Sequence, residues 1–188
     1  MSSCTVTVTN IKVSLKIKIV LTLKRIYETL RKNKLIVKEY SNFLVIKKKY
    51  TYTLFASGHV NITGISRTSL VQPACDYICN LFSTIEKCPH TVDNISAITV
   101  VPHKINLRQL IKIDSPNFTT SFNTEIFPGL FMRTSTATVI VFRSGKLVIV
   151  GAKTVQCVRD TLMKVWPVLL SDTVNHDKTI FRDLPTCK

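Results

Sequence analysis

The sequence predicts an α+β fold made of two similar halves, each containing strands, a hairpin and helices. The stretch FASGHVNITGIS, Phe55 to Ser66, and the stretch FRSGKLVIVGAK, Phe142 to Lys153, share a Phe, a Ser and two Gly at the same spacing, 87 positions apart. Four of the five glycines fall into two pairs with this separation. A repeat of about ninety residues is too long for a solenoid unit, so we interpret it as a duplicated half-domain.

The first half opens with a strand that is followed by a helix. Between Val6 and Lys18, apolar side chains alternate with Lys and Ser, which predicts a strand with one apolar and one basic face. The next stretch, TLKRIYETLRKN, has apolar residues at helical spacing, and Thr22 can cap the helix that this spacing predicts.

Each half contains a predicted hairpin whose two strands carry aromatic residues opposite each other. In YSNFLVIKKKYTYTLFASG, a turn centred on the first two lysines places Tyr40 opposite Phe55. In FPGLFMRTSTATVIVFRSG, a turn centred on the first Thr-Ser step places Phe127 opposite Phe142. The sequence therefore predicts one cross-strand aromatic pair at the same place in both halves.

Each half closes on a strand, HVNITGI or KLVIVGA, and a longer helix. Apolar residues at helical spacing predict these helices: Leu70, Ala74, Ile78, Leu81, Phe82 and Ile85 in the first half, and Val155, Val158, Leu162, Val165, Trp166 and Leu169 in the second. Pro73 fits only near the start of the first of them. We assign 1–88 to the first repeat, 89–170 to the second, and 171–188 to a polar C-terminal tail.

Charge indicates a polyanionic partner. The chain has 26 Lys and Arg against 11 Asp and Glu, a formal charge of +15, and 12 of the basic residues but only 2 acidic ones lie between Met1 and Tyr50. Nucleic acid is the partner that such a balance favours over a membrane. The alternative is a cationic surface that serves solubility alone.

Other function classes find little support in the sequence. Lysines interrupt the opening segment, so we expect no signal peptide and no membrane span, and therefore reduced thiols. No phosphate loop, nucleophile elbow or His-Glu-x-x-His helix is present, so we expect no enzyme and no cofactor. Metal binding stays open for Cys75, Cys79, Cys88 and His90, because their spacing matches no common zinc module and helix burial explains the first two equally well.

The chain resembles the TATA-box-binding protein family. The motifs that carry this resemblance are FPGLFMR, FRSGKLVIVGAK and VWPVLL in the second half, and NIKV, LTLKRI and FASGHVNITG in the first. The resemblance implies a saddle: two pseudo-symmetric repeats that form one curved antiparallel sheet, with helices above it and the underside in the DNA minor groove. In this family, apolar wedges on that underside unstack base steps and kink the duplex.

Residues at the matching positions are expected to contact DNA. The resemblance implies wedges at Tyr40, Phe55, Phe127 and Phe142. It implies groove contacts at Asn10, Asn94, Thr63, Val148 and Pro128. It implies phosphate contacts at Lys47, Lys48, Lys49, Arg133, Lys146 and Lys153. At other base-contacting positions, where the family has small apolar residues, this chain has Lys12, Asn61 and Ser96.

We therefore expect a transcription initiation factor that binds A·T-rich double-stranded promoter DNA as a monomer, bends it, and recruits initiation proteins or RNA polymerase subunits. Its place would be the nucleus, or the host nucleus if the Lys-, Ile- and Thr-rich chain is viral. One alternative is an interaction subunit of a transcription complex that has lost sequence-specific DNA binding. Another is an accessory domain of the kind that this fold provides in some DNA-repair and RNA-cleaving enzymes.

Overall fold

The computed structural model describes residues 5–19, 21–82 and 89–171. The chain divides into two compact units. One unit comprises Asn10–Asp93, and the other comprises Met1–Thr9 together with Asn94–Lys188. Cys88 and almost all of the predicted polar tail lie outside the described residues, as does the end of the first long helix predicted from the sequence.

The Asn10–Asp93 unit contains an antiparallel sheet with helices on one face. Its strands are β1 (Thr7–Lys16, which begins in the range of the other unit), β2 (Ile36–Glu39), β3 (Phe43–Lys47), β4 (Thr51–Phe55) and β5 (His59–Ile65), in the order β2-β3-β4-β5-β1. Its helices are α1 (Leu23–Lys32) and α2 (Val71–Leu81), the latter preceded by one 3-10 turn, Thr68–Leu70. Helix α1 packs on β2 and β3, and α2 packs on β5.

The core of this unit follows the alternation of the sequence. The apolar side chains from Ile11 in β1 to Ile17 just after it are buried, and the intervening lysines remain partly or fully exposed. The predicted helix α1 is confirmed: Ile26 and Leu30 are buried, and Thr22 Oγ1 accepts a hydrogen bond from the N–H of Arg25 at 3.5 Å. Each buried Ile or Leu stabilises the fold by about 1.5–3 kcal/mol relative to its exposed state.

The second unit repeats this plan with a shorter first helix. Its main strands are β6 (His90–Val100, which begins in the Asn10–Asp93 range), β7 (Thr119–Ser121), β8 (Leu130–Arg133), β9 (Thr138–Val141) and β10 (Lys146–Ala152), in the order β6-β10-β9-β8-β7. Its helices are α3 (Leu107–Leu110) and α4 (Val155–Ser171). The predicted stripe on α4 packs on β9 and β10 through Val158, Leu162, Val165 and Leu169.

The first hairpin has a different register from the predicted one. Phe43 lies opposite Phe55, and the turn is formed by residues 48–50, so the predicted pairing of Tyr40 with Phe55 is wrong. Four buried side chains explain the difference, because all must face the helices: Leu44, Ile46, Tyr52 and Leu54. The observed register sets Leu44 opposite Leu54, whereas the predicted one would have turned the two strands to opposite faces.

The second hairpin is shifted by two residues from the predicted register. Leu130 lies opposite Val141, and residues 134–137 form a four-residue turn in place of the predicted two-residue turn. The hydroxyl of Thr134 closes this turn, since it donates to the carbonyl of Ala137 at 2.9 Å and accepts from the Ala137 N–H at 3.1 Å. A side chain that bonds to the backbone a few residues further along the chain in this way selects the turn type.

Contact with the preceding strands explains the repeated Ser-Gly turns. The carbonyl of Gly58 accepts from the N–H of Ile17, and the carbonyl of Gly145 accepts from the N–H of Val101, each at 2.9 Å. A Cβ at either glycine would overlap a backbone carbonyl oxygen, that of Ile17 or of Val101. The Ser-Gly step therefore occurs in both repeats because each turn passes close to a neighbouring backbone, where only glycine fits.

Candidate nucleic-acid interface

Each sheet has one face that lies away from its helices and remains partly exposed. We call these the open faces. In the Asn10–Asp93 unit the open face comprises Asn10, Lys12, Ser14, Phe43, Val45, Thr51, Thr53, Phe55, Asn61 and Thr63. In the other unit it comprises Asn94, Ser96, Ile98, Phe131, Arg133, Thr138, Ile140, Phe142, Lys146, Val148 and Val150.

Three aromatic rings form a cluster at the outer part of the first open face. The ring of Phe43 lies 5.7 Å from that of Phe55, and the ring of Tyr40 stacks on Phe43 at 4.6 Å with an interplanar angle of 17°. Tyr40 is 46% exposed. Phe43 was missed in the sequence, although a three-residue turn would have placed it on the same face as Phe55.

A matching cluster lies on the second open face. The rings of Phe127 and Phe142 are 5.8 Å apart in an edge-to-face arrangement, so the two side chains meet despite the shifted register. Phe131 joins them, with its ring 5.3 Å from that of Phe127. Gly129 makes room for this contact, because a Cβ there would lie 2.7 Å from the Phe127 ring. Each unit thus presents three aromatic rings where the sequence predicted two.

A glycine bulge holds each of the two predicted asparagines. The register of the ladder shifts beside Gly64 and beside Gly151, whose φ angles are +93° and +90°. The Gly64 N–H donates to Asn10 Oδ1 at 2.7 Å, and the Gly151 N–H donates to Asn94 Oδ1 at 2.6 Å. Because the amide oxygen is engaged in both cases, the amide nitrogen is directed elsewhere. Asn94 Nδ2 donates one hydrogen bond to Ser96 Oγ at 3.0 Å and keeps a second N–H.

Of the other predicted groove residues, two lie on the open faces and one lies outside the strands. Thr63 and Val148 are partly exposed on β5 and β10, one in each open face. Pro128 is exposed beside Phe127, outside the strands. The structure therefore brings the first two onto the sheet surface and leaves Pro128 at the edge of the second aromatic cluster.

The predicted phosphate contacts differ in their surroundings. All six cations are exposed: Lys47, Lys48, Lys49, Arg133, Lys146 and Lys153. The ammonium of Lys48 lies 4.4 Å from the centre of the Tyr77 ring on α2, and the guanidinium of Arg133 lies 5.3 Å from that of Phe131. Arg133 therefore belongs to the second open face, whereas Lys48 is directed toward the helices.

Lys12 on the first open face forms an ion pair with Asp93 on β6. Lys12 Nζ is 3.4 Å from Asp93 Oδ2, and Ser14 Oγ donates to Asp93 Oδ1 at 2.9 Å. All three residues belong to the Asn10–Asp93 unit. This pair of opposite charges was not recognised in the sequence, because the two partners are separated by 81 positions.

A basic cleft of about 650 Å³ lies next to Pro128 in the second unit. Its walls carry Lys104, Arg108 and Arg143, together with the apolar side chains of Leu107 and Phe122. The lining contains no carboxylate. The cleft therefore offers cationic and apolar surface together.

The described residues give no indication of a metal centre or a membrane segment. Cys75 and Cys79 are buried on α2, and Cys88 lies outside the described part of the chain. Within residues 5–19, 21–82 and 89–171 no group of three or more potential ligands is arranged to hold a metal ion. No helix in those ranges has the length and apolar character needed to cross a membrane.

Comparison with known proteins identifies relatives across both repeats. A family model described as Transcription factor TFIID (or TATA-binding protein, TBP) matches residues 5–85 and 89–171. TATA-box-binding protein 2 of Entamoeba histolytica is 28% identical over 130 residues, which are 66% of this chain and 60% of that protein. The TATA-box-binding protein of Candida albicans is 28% identical over 127 residues, or 64% and 52% of the two chains. This chain thus spans about half to three fifths of the length of these relatives.

A solved structure shows the same fold. The chain is similar to Methanococcus jannaschii TBP with a TM-score of 0.72 and 24% sequence identity, and the match covers 89% of this chain and 99% of that one. The predicted α+β fold of two repeats is thereby confirmed.

Proposed function

The chain belongs to the TATA-binding protein family, and on this basis we propose that it is a transcription initiation factor that binds A·T-rich promoter DNA in the minor groove and bends it. The observation that carries the proposal is the duplicated set of groups on the open faces. Each unit has three clustered aromatic rings and one asparagine fixed by a glycine bulge. A role in the core alone gives no reason for this set to lie on the exposed side of both sheets.

The aromatic clusters fit the role of wedges. A wedge must be flat, rigid and apolar to enter a base step, and contact between neighbouring rings restricts the rotation of each. Phe142 is braced by Phe127, and Phe55 by Phe43. Tyr40 can stack as well, provided that its hydroxyl stays in water or finds a polar partner.

The two asparagines fit the role of donors to A·T pairs. In the minor groove A·T pairs present only acceptors, the N3 of adenine and the O2 of thymine. The amide oxygens of Asn10 and Asn94 are occupied by glycine N–H groups, so the side that faces outward is the donor side. Thr63 and Val148 would contact the sugar and base edges beside them.

Exposed cations supply the general attraction to DNA. The chain has a formal net charge of +15. The cations that would lie along the phosphates are Lys47, Lys49, Arg133, Lys146 and Lys153. Each phosphate that a cation neutralises changes the slope of log K against log salt by about −0.9. This part of the affinity is independent of sequence, and it is expected to weaken strongly as salt rises.

The mechanism is binding without chemistry. The protein would bend DNA as a monomer in the nucleus and present its helices to other initiation proteins or RNA polymerase subunits. No cofactor takes part in this mechanism.

Bending measured by fluorescence transfer tests the proposal. End-labelled A·T-rich and G·C-rich duplexes would be titrated at two salt concentrations with the wild type, Phe142→Ala, Phe55→Ala and Tyr27→Ala. Tyr27 on α1 is the control, because its removal takes away an aromatic ring on the helical side. We expect bending confined to the A·T-rich duplex and reduced by both Phe substitutions, with a loss of about 1–3 kcal/mol of binding for each ring. Unchanged bending in both Phe variants would refute the wedge mechanism.

The basic cleft favours a second candidate function, that of an interaction subunit. Lys104, Arg108 and Arg143 stand beside apolar walls, an arrangement that suits an acidic protein segment better than a bare phosphate. Under this alternative, the chain would bind a protein partner and have no bending activity. A partner that binds the Phe55→Ala and Phe142→Ala variants as well as the wild type, together with salt-sensitive DNA binding without a bend, would support it.

A further inference from the structure

Three polar side chains form a row across the open face of the Asn10–Asp93 unit. Asn61 on β5 lies directly opposite Ser14 on β1 and directly opposite Thr53 on β4. All three side chains are partly exposed. We call them the polar row, and Asn61 is its central member.

The polar row lies between the first aromatic cluster and the asparagine that the glycine bulge holds. Thr53 comes two residues before Phe55 on β4, so both side chains lie on the same face of the sheet. Asn61 comes three residues before Gly64, whose N–H donates to Asn10. Under the proposed function the rings and Asn10 contact the minor groove, so the polar row faces the base edges between them.

An apolar row occupies the matching place in the second unit. Val148, which lies 87 positions after Asn61, is opposite Ile98 on β6 and Ile140 on β9. It likewise comes three residues before a bulge glycine, Gly151. The two repeats therefore share the strand arrangement at this place and differ in its capacity for hydrogen bonding.

Asn61 differs from Asn10 in the state of its amide oxygen. The oxygen of Asn10 accepts from the N–H of Gly64, which leaves the amide N–H groups for the acceptors of A·T pairs. In the described part of the chain, no hydrogen bond engages the side chain of Asn61. Ser14, by contrast, donates to Asp93. Asn61 is thus the member of the polar row that presents both an amide oxygen and two N–H groups to the groove.

The amino group of guanine distinguishes the two rows. In the minor groove A·T pairs show acceptors alone, whereas a G·C pair adds the N2 amino donor of guanine. Val148 has no atom that accepts a hydrogen bond from this donor, and burial of a donor without a partner is unfavourable. The Oδ1 atom of Asn61 can accept that bond, while the amide nitrogen donates to the groove acceptors that both classes of base pair provide.

We infer that Asn61 accepts a hydrogen bond from the N2 amino group of guanine. The first unit therefore reads a G·C pair at one position of an otherwise A·T-rich site, and the matched position under Val148 excludes G·C. The inference rests on the proposed function and specifies the sequence that each unit reads. It depends on the difference between the repeats, because two identical rows would treat both positions alike.

Inosine isolates the amino group from the rest of the base pair. An inosine·cytosine pair lacks the N2 amino group and otherwise keeps the shape of G·C, so its minor groove shows acceptors alone. Starting from an end-labelled A·T-rich duplex that the protein bends, each position in turn would be changed to G·C and to inosine·cytosine, and the two affinities would be compared.

We expect the wild type to show opposite preferences at two positions. At the position under Asn61, G·C should bind about fivefold more tightly than inosine·cytosine, which corresponds to about 1 kcal/mol or one net hydrogen bond. At the position under Val148, inosine·cytosine should bind about tenfold more tightly than G·C, because the amino group there has no acceptor.

Two exchanges between the repeats assign these preferences to the side chains. Asn61→Val should reverse the order at the first position, to about tenfold in favour of inosine·cytosine. Val148→Asn should remove the discrimination against G·C at the second position. Asn80→Val is the matched control, because it removes the same amide from the exposed side of α2 and should change neither order. Thermal melting would establish that each variant is folded.

The outcomes distinguish the inference from the function on which it rests. If the protein bends A·T-rich DNA but prefers G·C to inosine·cytosine at no position, the inference is overturned and the function stands. A preference for G·C that folded Asn61→Val retains would also overturn it, since the acceptor would then lie elsewhere. Unchanged discrimination against G·C in folded Val148→Asn would overturn the role of Val148. Failure to bind any duplex would refute the proposed function and the inference with it.

Discussion

Replacement of Asn94 by Asp separates the observed contact of this side chain with Gly151 from its role as a donor to DNA under the proposed function. Its Oδ1 accepts from the Gly151 N–H at 2.6 Å, and a carboxylate oxygen accepts the same bond with the added strength of its charge. Ser96 can reverse its hydroxyl and donate to the carboxylate, which preserves the second contact. The bulge should therefore be retained, and the outward donor should become a charged acceptor.

The two effects differ in size and in the property that they change. Loss of a donor to a base edge costs about 1–3 kcal/mol of DNA binding, and repulsion between the carboxylate and the groove acceptors adds to it. We therefore expect binding of Asn94→Asp to A·T-rich DNA to weaken by at least about tenfold, with unchanged thermal stability. Asn94→Ala removes the acceptor as well, which leaves the Gly151 N–H without its partner and costs about 1 kcal/mol of stability. For a chain of this size that loss lowers Tm by about 2–4 °C.

Thermal melts and binding titrations on one A·T-rich duplex would be performed side by side for both variants and for Asn33→Asp. Asn33 is exposed at the end of α1, so its replacement introduces the same charge away from the open face. Wild-type DNA affinity in Asn94→Asp would refute the donor role. Equal destabilisation of Asn94→Asp and Asn94→Ala would refute the assignment of the amide oxygen to Gly151.

Two further predictions concern the first hairpin and its contact with α2. Lys47→Ala should reduce the magnitude of the slope of log K against log salt by about 0.9. Lys48→Ala should leave this slope unchanged, because the Lys48 ammonium lies over the Tyr77 ring. Salt titrations of DNA binding for the wild type and both variants would measure the slopes. Burial, and secondarily the neighbouring Tyr77, raises the pKa of Tyr52 far above its ordinary value. The stability that depends on its neutral phenol is therefore complete below about pH 10 and declines as pH rises further. Urea denaturation between pH 9 and pH 11 should show a smaller alkaline loss in Tyr52→Phe, and an equal loss in both proteins would contradict this assignment.

Periodicity in the sequence predicted the elements that carry strong one-sided patterns. The strand through Ile11 and Val13, the capped helix α1 and the stripe of α4 were all correct, because burial of one face imposes the pattern directly. The short edge strands β2 and β7 were not predicted. They bury few side chains, so their sequences carry little alternation.

The same periodicity did not predict the hairpin registers correctly. Turn length cannot be read from lysines or threonines that fit several turn types, and an error of three residues in the first hairpin concealed the role of Phe43. The glycine pairs were recognised as a repeat, but the bond from each bulge to an asparagine depends on strands that are far apart in sequence. The Lys12–Asp93 contact escaped recognition for the same reason.

The duplication preserved the framework of the site and allowed its surface chemistry to diverge. Both units keep the asparagine, the bulge and the ring cluster, since these depend on backbone geometry and close packing. Between these fixed points the matching positions differ. The first open face has Lys12, Ser14, Thr53, Asn61 and Thr63, whereas the second has Ser96, Ile98, Ile140, Val148 and Val150.

This difference bears on how the protein would choose an orientation on DNA. Two identical faces would bind a site equally well in either direction. A polar face combined with a largely apolar one makes the two directions unequal in energy whenever the two ends of the site differ in base composition. Under the proposed function, the polar side chains of the first unit therefore fit an asymmetric promoter element better than a second apolar face would.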